Sequence, residues 1–207
     1  MSTEPIILKF YTEPQSAKDF KGRTLEAILG LSDKDLEYSH DFIQILFPLP
    51  EGSPFNLRAP VIDRQVFEAF HSRPELRAQL HSSFVRMLKF YGFETHETAE
   101  GKAEVTILHV QTLGFNNLNK RFDHNHLRIT RIIRSLRVLG LEEEALAFYK
   151  ALKKVAETSG KISAKSIMFW GRAAHRPLHL APEFEDDQVE GGADFLREFE
   201  ESRGFKE

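Results

Sequence analysis

Apolar residues recur at three- and four-residue spacing along most of the 207-residue chain, the period of a helix with one buried face. The best-defined case runs from about 124 to 139. Ile129, Ile132, Ile133, Leu136 and Leu139 form its stripe, Asp123 is placed to cap it, and Gly140 to end it. Leu76, Leu80, Phe84, Met87, Leu88 and Tyr91 mark a second long helix that stops at Gly92, with Ser72 as its expected cap and Pro74 in its first turn. Residues 142–158 form a third, opened by Glu142, Glu143 and Glu144 at the positive end of the helix dipole. Ser163 caps a fourth through about Ala174.

Shorter pieces fill the remainder. Residues 23–30 read as a short helix closed by Gly30, and 64–71 as one capped by Asp63. Ser32 and Asp35 resemble a capping box that opens a continuous helix to about Leu46, where Phe47-Pro48 ends it. Pro48, Pro50, Gly52, Pro54 and Pro60 predict a loop over 48–61. Residues 105–118 are read as helix, with room for one short hairpin near 93–110. Pro5 and Pro14 rule out a single helix over 1–22, which is taken as an extended arm. The implied fold is all-α, an irregular or orthogonal bundle of seven or eight helices. The expected organisation is the arm (1–22), a helical domain (23–178) and an acidic, mostly mobile tail (179–207), in which Phe195, Leu196 and Phe199 could dock one turn.

Composition narrows the chemistry. There is no Cys, which removes disulfides, thiolate metal sites and Cys nucleophiles together. The net charge of −3 gives no overall basic footprint for nucleic acid. Eighteen Phe against one Trp supply dry apolar area for a core or an apolar pocket. No signal peptide, transmembrane stretch or lipidation box is legible, so an intracellular, cytoplasmic or nuclear setting is expected. Phosphate loops, dinucleotide fingerprints and the nucleophile elbow are absent, so no cofactor is expected. Glu37-x-x-His40 and Glu68-x-x-His71 share the spacing of di-metal bundles, but two further carboxylates lack an obvious helical place. No metal is expected.

Three motifs stand in order: Tyr-Ser-His-Asp-Phe-Ile-Gln-Ile-Leu-Phe-Pro-Leu-Pro from Tyr38, Met-Leu-Lys-Phe-Tyr-Gly-Phe from Met87, and Asn117-Leu118 followed by the run from Asn125 to Gly140. With Leu8-Lys9-Phe10-Tyr11, they resemble the conserved region of the opioid growth factor receptor family over about residues 8–175. The vertebrate receptors carry further repeat-containing sequence. This chain looks like the stand-alone members found in fungi and bacteria. The resemblance implies peptide binding and a perinuclear or membrane-associated site.

Candidate ligand-binding residues are His40, Tyr91, Asn125, Arg128 and Arg131. Asn125 falls on the apolar face of its helix and needs polar partners, expected near Asn117. Arg128 and Arg131 are cations near a helix N-terminus, where the dipole opposes them, so each asks for a partner. An internal carboxylate is expected for Arg128 and solvent for Arg131. Arg134 and Arg137 read as surface charges. The expected function is binding of a short peptide or a small, largely apolar ligand, with a protein partner left open. The alternative is a cofactor-independent enzyme of secondary metabolism, a cyclase that orients a precursor for intramolecular cyclisation or cycloaddition.

Overall fold

The computed structural model describes residues 4–52, 57–185 and 192–204. These residues form eleven helices and one two-stranded sheet, so the fold is mostly helical rather than strictly all-α. The helices are α1 (Ile6–Thr12), α2 (Leu25–Leu29), α3 (Asp33–Tyr38), α4 (Ile43–Leu46), α5 (Arg64–Ser72), α6 (Pro74–Tyr91), α7 (Leu113–Leu118), α8 (His124–Val138), α9 (Glu142–Ser159), α10 (Ala164–His175) and α11 (Asp194–Ser202). Strands β1 (Phe93–Glu97) and β2 (Ala103–Ile107) lie between α6 and α7.

One apolar core joins almost all of these elements. Helix α8 packs against α9, α10 and α7, while α6 packs against α1, α5 and α7. Every apolar residue of the expected α8 stripe is buried. The caps follow the expected chemistry: the side chains of Thr24, Ser32, Asp63, Asp123 and Ser163 each accept a backbone N–H in the first turn of their helix.

Several expectations are corrected. The N-terminal arm is not extended: Pro5 sits at the cap of α1 and leaves the helix after it intact. Tyr11 of α1 is buried and donates its hydroxyl to the Leu46 carbonyl, tying the first helix to α4. Ser72 does not cap α6. Its hydroxyl donates back to the Glu68 carbonyl at 2.7 Å, and Arg73 is the capping position, with no side-chain bond.

The helix expected over 105–118 is instead β2 followed by the short α7. The hairpin pairs Phe93 with Ile107 and buries Phe93 and Val105. Gly92 starts it. With φ of +79°, Gly92 ends α6 and passes so close to the His109 carbonyl that a Cβ would lie 1.9 Å from its oxygen. The sheet packs on α9 through β2 and on α6 through β1.

The region from 183 onward includes α11, longer than one docked turn. Leu196 is buried in the core cluster. Glu200, also buried, accepts from the Leu178 backbone N–H and bonds His179 Nδ1 at 2.7 Å. Residues 186–191 and 205–207 of the expected tail lie outside the described residues, as do 53–56 of the expected proline-rich loop.

Candidate functional site

Ser39 to Phe42 interrupt what reads as one helix, and the cause lies across the core. In an unbroken helix the Leu36, Glu37 and Ser39 carbonyls would accept N–H groups four residues on. Here Arg128 of α8 takes them. Its guanidinium donates to Leu36 O at 2.9 Å, Glu37 O at 3.3 Å and Ser39 O at 2.6 Å. It also stacks over the Phe42 ring, 5.4 Å from the centroid, and meets His40 Nδ1 at 3.2 Å. Arg128 thus caps the C-terminus of α3 from a different helix, where the dipole favours a cation. The internal partner expected for it exists, but it is a set of carbonyls rather than a carboxylate.

Asn125 lies one turn earlier and is fully buried. Its Oδ1 accepts from the Tyr91 hydroxyl at 3.1 Å and from Arg128 at 3.2 Å. Its Nδ2 donates to Glu37 Oε2 at 3.1 Å and to Asp123 Oδ1 at 2.8 Å. An amide has two donors and two acceptor positions, and all four are used. Asn117 donates to the other Glu37 oxygen, so Asn117 and Asn125 meet through a shared carboxylate rather than directly. Burial pushes the Tyr91 phenol well above its ordinary range, which keeps it a donor.

His124 sits at the edge of this network. Burial is the largest influence on it and lowers its pKa, with Arg128 acting the same way against Asp123 and Glu37. Among the described residues, donor atoms of Glu37, Asp123 and His124 lie within 4.8 Å of one another, a spacing that could hold a cation. Both Glu37 oxygens already accept amide N–H groups, and Arg128 shares Asn125 with them. A cation would have to displace those donors and sit beside a guanidinium. Of the two Glu-x-x-His pairs only Glu37 enters this group. His71 instead bonds the Val138 carbonyl at 3.0 Å.

The candidate residues therefore separate. Tyr91, Asn125 and Arg128 are brought together in the interior, and His40 touches them from an exposed position. Arg131 stands apart. It is half-buried rather than exposed, and its Nε has no partner. Arg134 and Arg137 are 1% and 8% exposed, not surface charges. Arg134 pairs with Glu51 at 2.7 Å. Arg137 donates to the Ala173 and Arg176 carbonyls at 3.0 and 2.8 Å.

A cavity of about 490 Å³ opens on the other side of His124, between the start of α8 and α10. Phe122, Leu127, Thr130, Ser166 and Phe169 contribute to its wall, with Lys165 beside them. Phe122 and Leu127 are 65% and 61% exposed, large apolar surfaces left in contact with water. The floor is rigid. His126 bonds Ser166 Oγ through Nδ1 and the Leu118 carbonyl through Nε2, both at 2.8 Å. The carbonyl can only accept, so Nε2 carries the hydrogen and Nδ1 accepts from Ser166. Trp170 Nε1 and Thr130 Oγ1 both donate to the His126 carbonyl, at 3.1 and 3.0 Å. None of the candidate residues read from the sequence lines this cavity, and Asp123 and Ser163 enter that reading only as helix caps. The exposed Leu127 in an otherwise polar stretch was the available signal.

A buried, amide-saturated carboxylate centre thus lies behind an open apolar cavity, carried on a mostly helical bundle. Residues 3–171 match the opioid growth factor receptor (OGFr) conserved region. The chain belongs to the opioid growth factor receptor family. It is 41% identical to the opioid growth factor receptor of Rattus norvegicus over 109 residues, covering 52% of this chain and 18% of that protein. With the Homo sapiens receptor it shares 40% over 109 residues, 52% of this chain and 15% of that protein. With opioid growth factor receptor-like protein 1 of Xenopus tropicalis it shares 33% over 138 residues, 65% of this chain and 26% of that protein. The matched region thus spans about a quarter or less of these relatives. No solved structure matches the chain. No helix among the described residues is long and apolar enough to cross a membrane.

Proposed function

We propose that this domain is a binding module and that its ligand, a small and largely apolar molecule or the apolar side chain of a short peptide, occupies the cavity beside α8 and α10. The observation that carries this reading is the cavity itself. Its volume of about 490 Å³ falls in the range of small-ligand sites, and its rim presents Phe122 and Leu127 to water. Exposed apolar groups of this size around a concavity mark interaction sites more often than chance surface. The relatives' name as receptors agrees with a binding role.

The saturated network of Tyr91, Asn125, Arg128 and Glu37 supports the site from behind. It holds Asp123 where α8 begins, and Asp123 borders the cavity beside His124. In this reading those residues shape the site without touching the ligand. The test uses Nile red, a neutral apolar dye. Its fluorescence should rise on mixing with the native chain and should fall back with Leu127→Asp at an unchanged melting temperature, because Leu127 is exposed. Equal fluorescence with the native and substituted chains would remove the cavity as the binding site.

A further inference from the structure

Leu127, Thr130, Arg131 and Arg134 follow one another along α8 at spacings of three, one and three, so they share one side of the helix. Leu127 and Thr130 belong to the cavity wall. Arg131 lies four residues beyond Leu127, about 6 Å along the axis. It makes no hydrogen bond with a described residue, and its Nε is buried without a partner. Burial lowers its pKa to about 10, with Glu51 and Glu183 acting weakly against that from a distance.

A desolvated guanidinium with no acceptor is costly, and nearly all such groups in folded proteins are paired. Arg134 and Arg137 also leave Nε without a partner, but their terminal nitrogens are bonded, Arg134 to Glu51 and Arg137 to two carbonyls, whereas Arg131 has neither bond with a described residue. Resting on the cavity reading above, we propose that the ligand extends from the apolar cavity to Arg131 and is an apolar monocarboxylic acid, its carboxylate meeting the Arg131 fork and its apolar body lying against Leu127 and Phe122. A carboxylate is favoured over a phosphate by charge. The Arg131 guanidinium lies one helical turn beyond the cavity wall with the carboxylates of Glu51 and Glu183 in its field, and the wall itself carries Lys165 and Asp123. A single negative charge meets Arg131, whereas a dianion would be repelled more strongly by those carboxylates. Guanidinium and carboxylate also match geometrically, two N–H groups to two oxygens.

The experiment is calorimetric titration of the full chain with 4-phenylbutyrate and its uncharged analogue 4-phenylbutyramide, at matched ionic strength. The acid should bind at least tenfold more tightly than the amide. Arg131→Gln should erase that preference and leave amide binding as it was. Arg131→Lys should keep part of it. Leu127→Asp should weaken both compounds. Equal binding of acid and amide by the native chain would overturn the proposal, as would a preference that survives Arg131→Gln. If neither compound binds while Nile red still does, the acid assignment fails and the cavity reading stands. If the dye fails too, both fall.

Discussion

Arg128 and Arg131 are neighbours on α8, less than one turn apart, and the protein treats them in opposite ways. Arg128 is 5% exposed and reaches three carbonyls, an amide oxygen, a His nitrogen and an aromatic face. Arg131 keeps its charge in a half-buried place with no bond to a described residue. Two neighbouring positions on one helix thus do different work. Arg128 spends its polar groups on holding α3, α4 and α8 together. Arg131 keeps a cation without a hydrogen bond to a described residue, one turn beyond an apolar cavity. Unsatisfied polar groups raise the energy of a fold, and they persist where something else, such as a ligand, completes them.

The largest expected effect comes from removing Arg128. Arg128→Ala leaves the Leu36, Glu37 and Ser39 carbonyls without their donor in a buried place, each such loss costing about 1–3 kcal/mol. With partial relief by water, a destabilisation of about 3–5 kcal/mol should appear in urea denaturation. A loss below about 1 kcal/mol would mean that α3 ends for reasons of its own and that Arg128 only decorates the break.

That break also shows how far the sequence can be read. Leu36, Phe42, Ile43 and Leu46 keep a helical period straight across Ser39–Phe42, because α3 and α4 both face the same core. Nothing local announces the gap, since the group that makes it lies 89 residues away in the chain. The long helices α6, α8, α9 and α10 were legible because stripe, cap and stop all agreed. The hairpin was not: each strand has five residues, and only Phe93 on β1 and Val105 on β2 are buried, too few to show alternation. Periodicity identified Asn125 as a buried amide and grouped Arg128 with Arg131. It could not say that α3 covers one and leaves the other, since a helix wheel shows shared faces and not which neighbour arrives. The same limit turned Arg134 and Arg137 into expected surface charges, whereas Glu51 and α10 cover them.

Acidification should act more weakly and more broadly. Burial lowers the pKa of His71, His124 and His175, with nearby cations adding to the effect. In the unfolded chain these imidazoles return to about 6.5. Between that value and the lower folded values, the unfolded state binds more protons, so stability is full above about 6.5 and declines as pH falls below it. The melting temperature should therefore drop from pH 7.5 to pH 5.5. His71→Gln should make the drop shallower, since His71 is the most buried of the three. A melting temperature that stays flat or rises over this range would contradict the assignment.

The smallest effect is also the most direct test, because Arg128 and Arg131 are expected to contribute differently to stability. Urea denaturation of Arg131→Gln, without added ligand, should show stability unchanged or raised by about 1 kcal/mol, since the substitution removes a half-buried charge that Glu51 and Glu183 favour only through their fields and not through a hydrogen bond. Measured beside Arg128→Ala, only Arg128→Ala should then lower stability. A loss of several kcal/mol for Arg131→Gln, matching that of Arg128→Ala, would show that Arg131 is held by the fold itself and would contradict the separate roles given to Arg128 and Arg131.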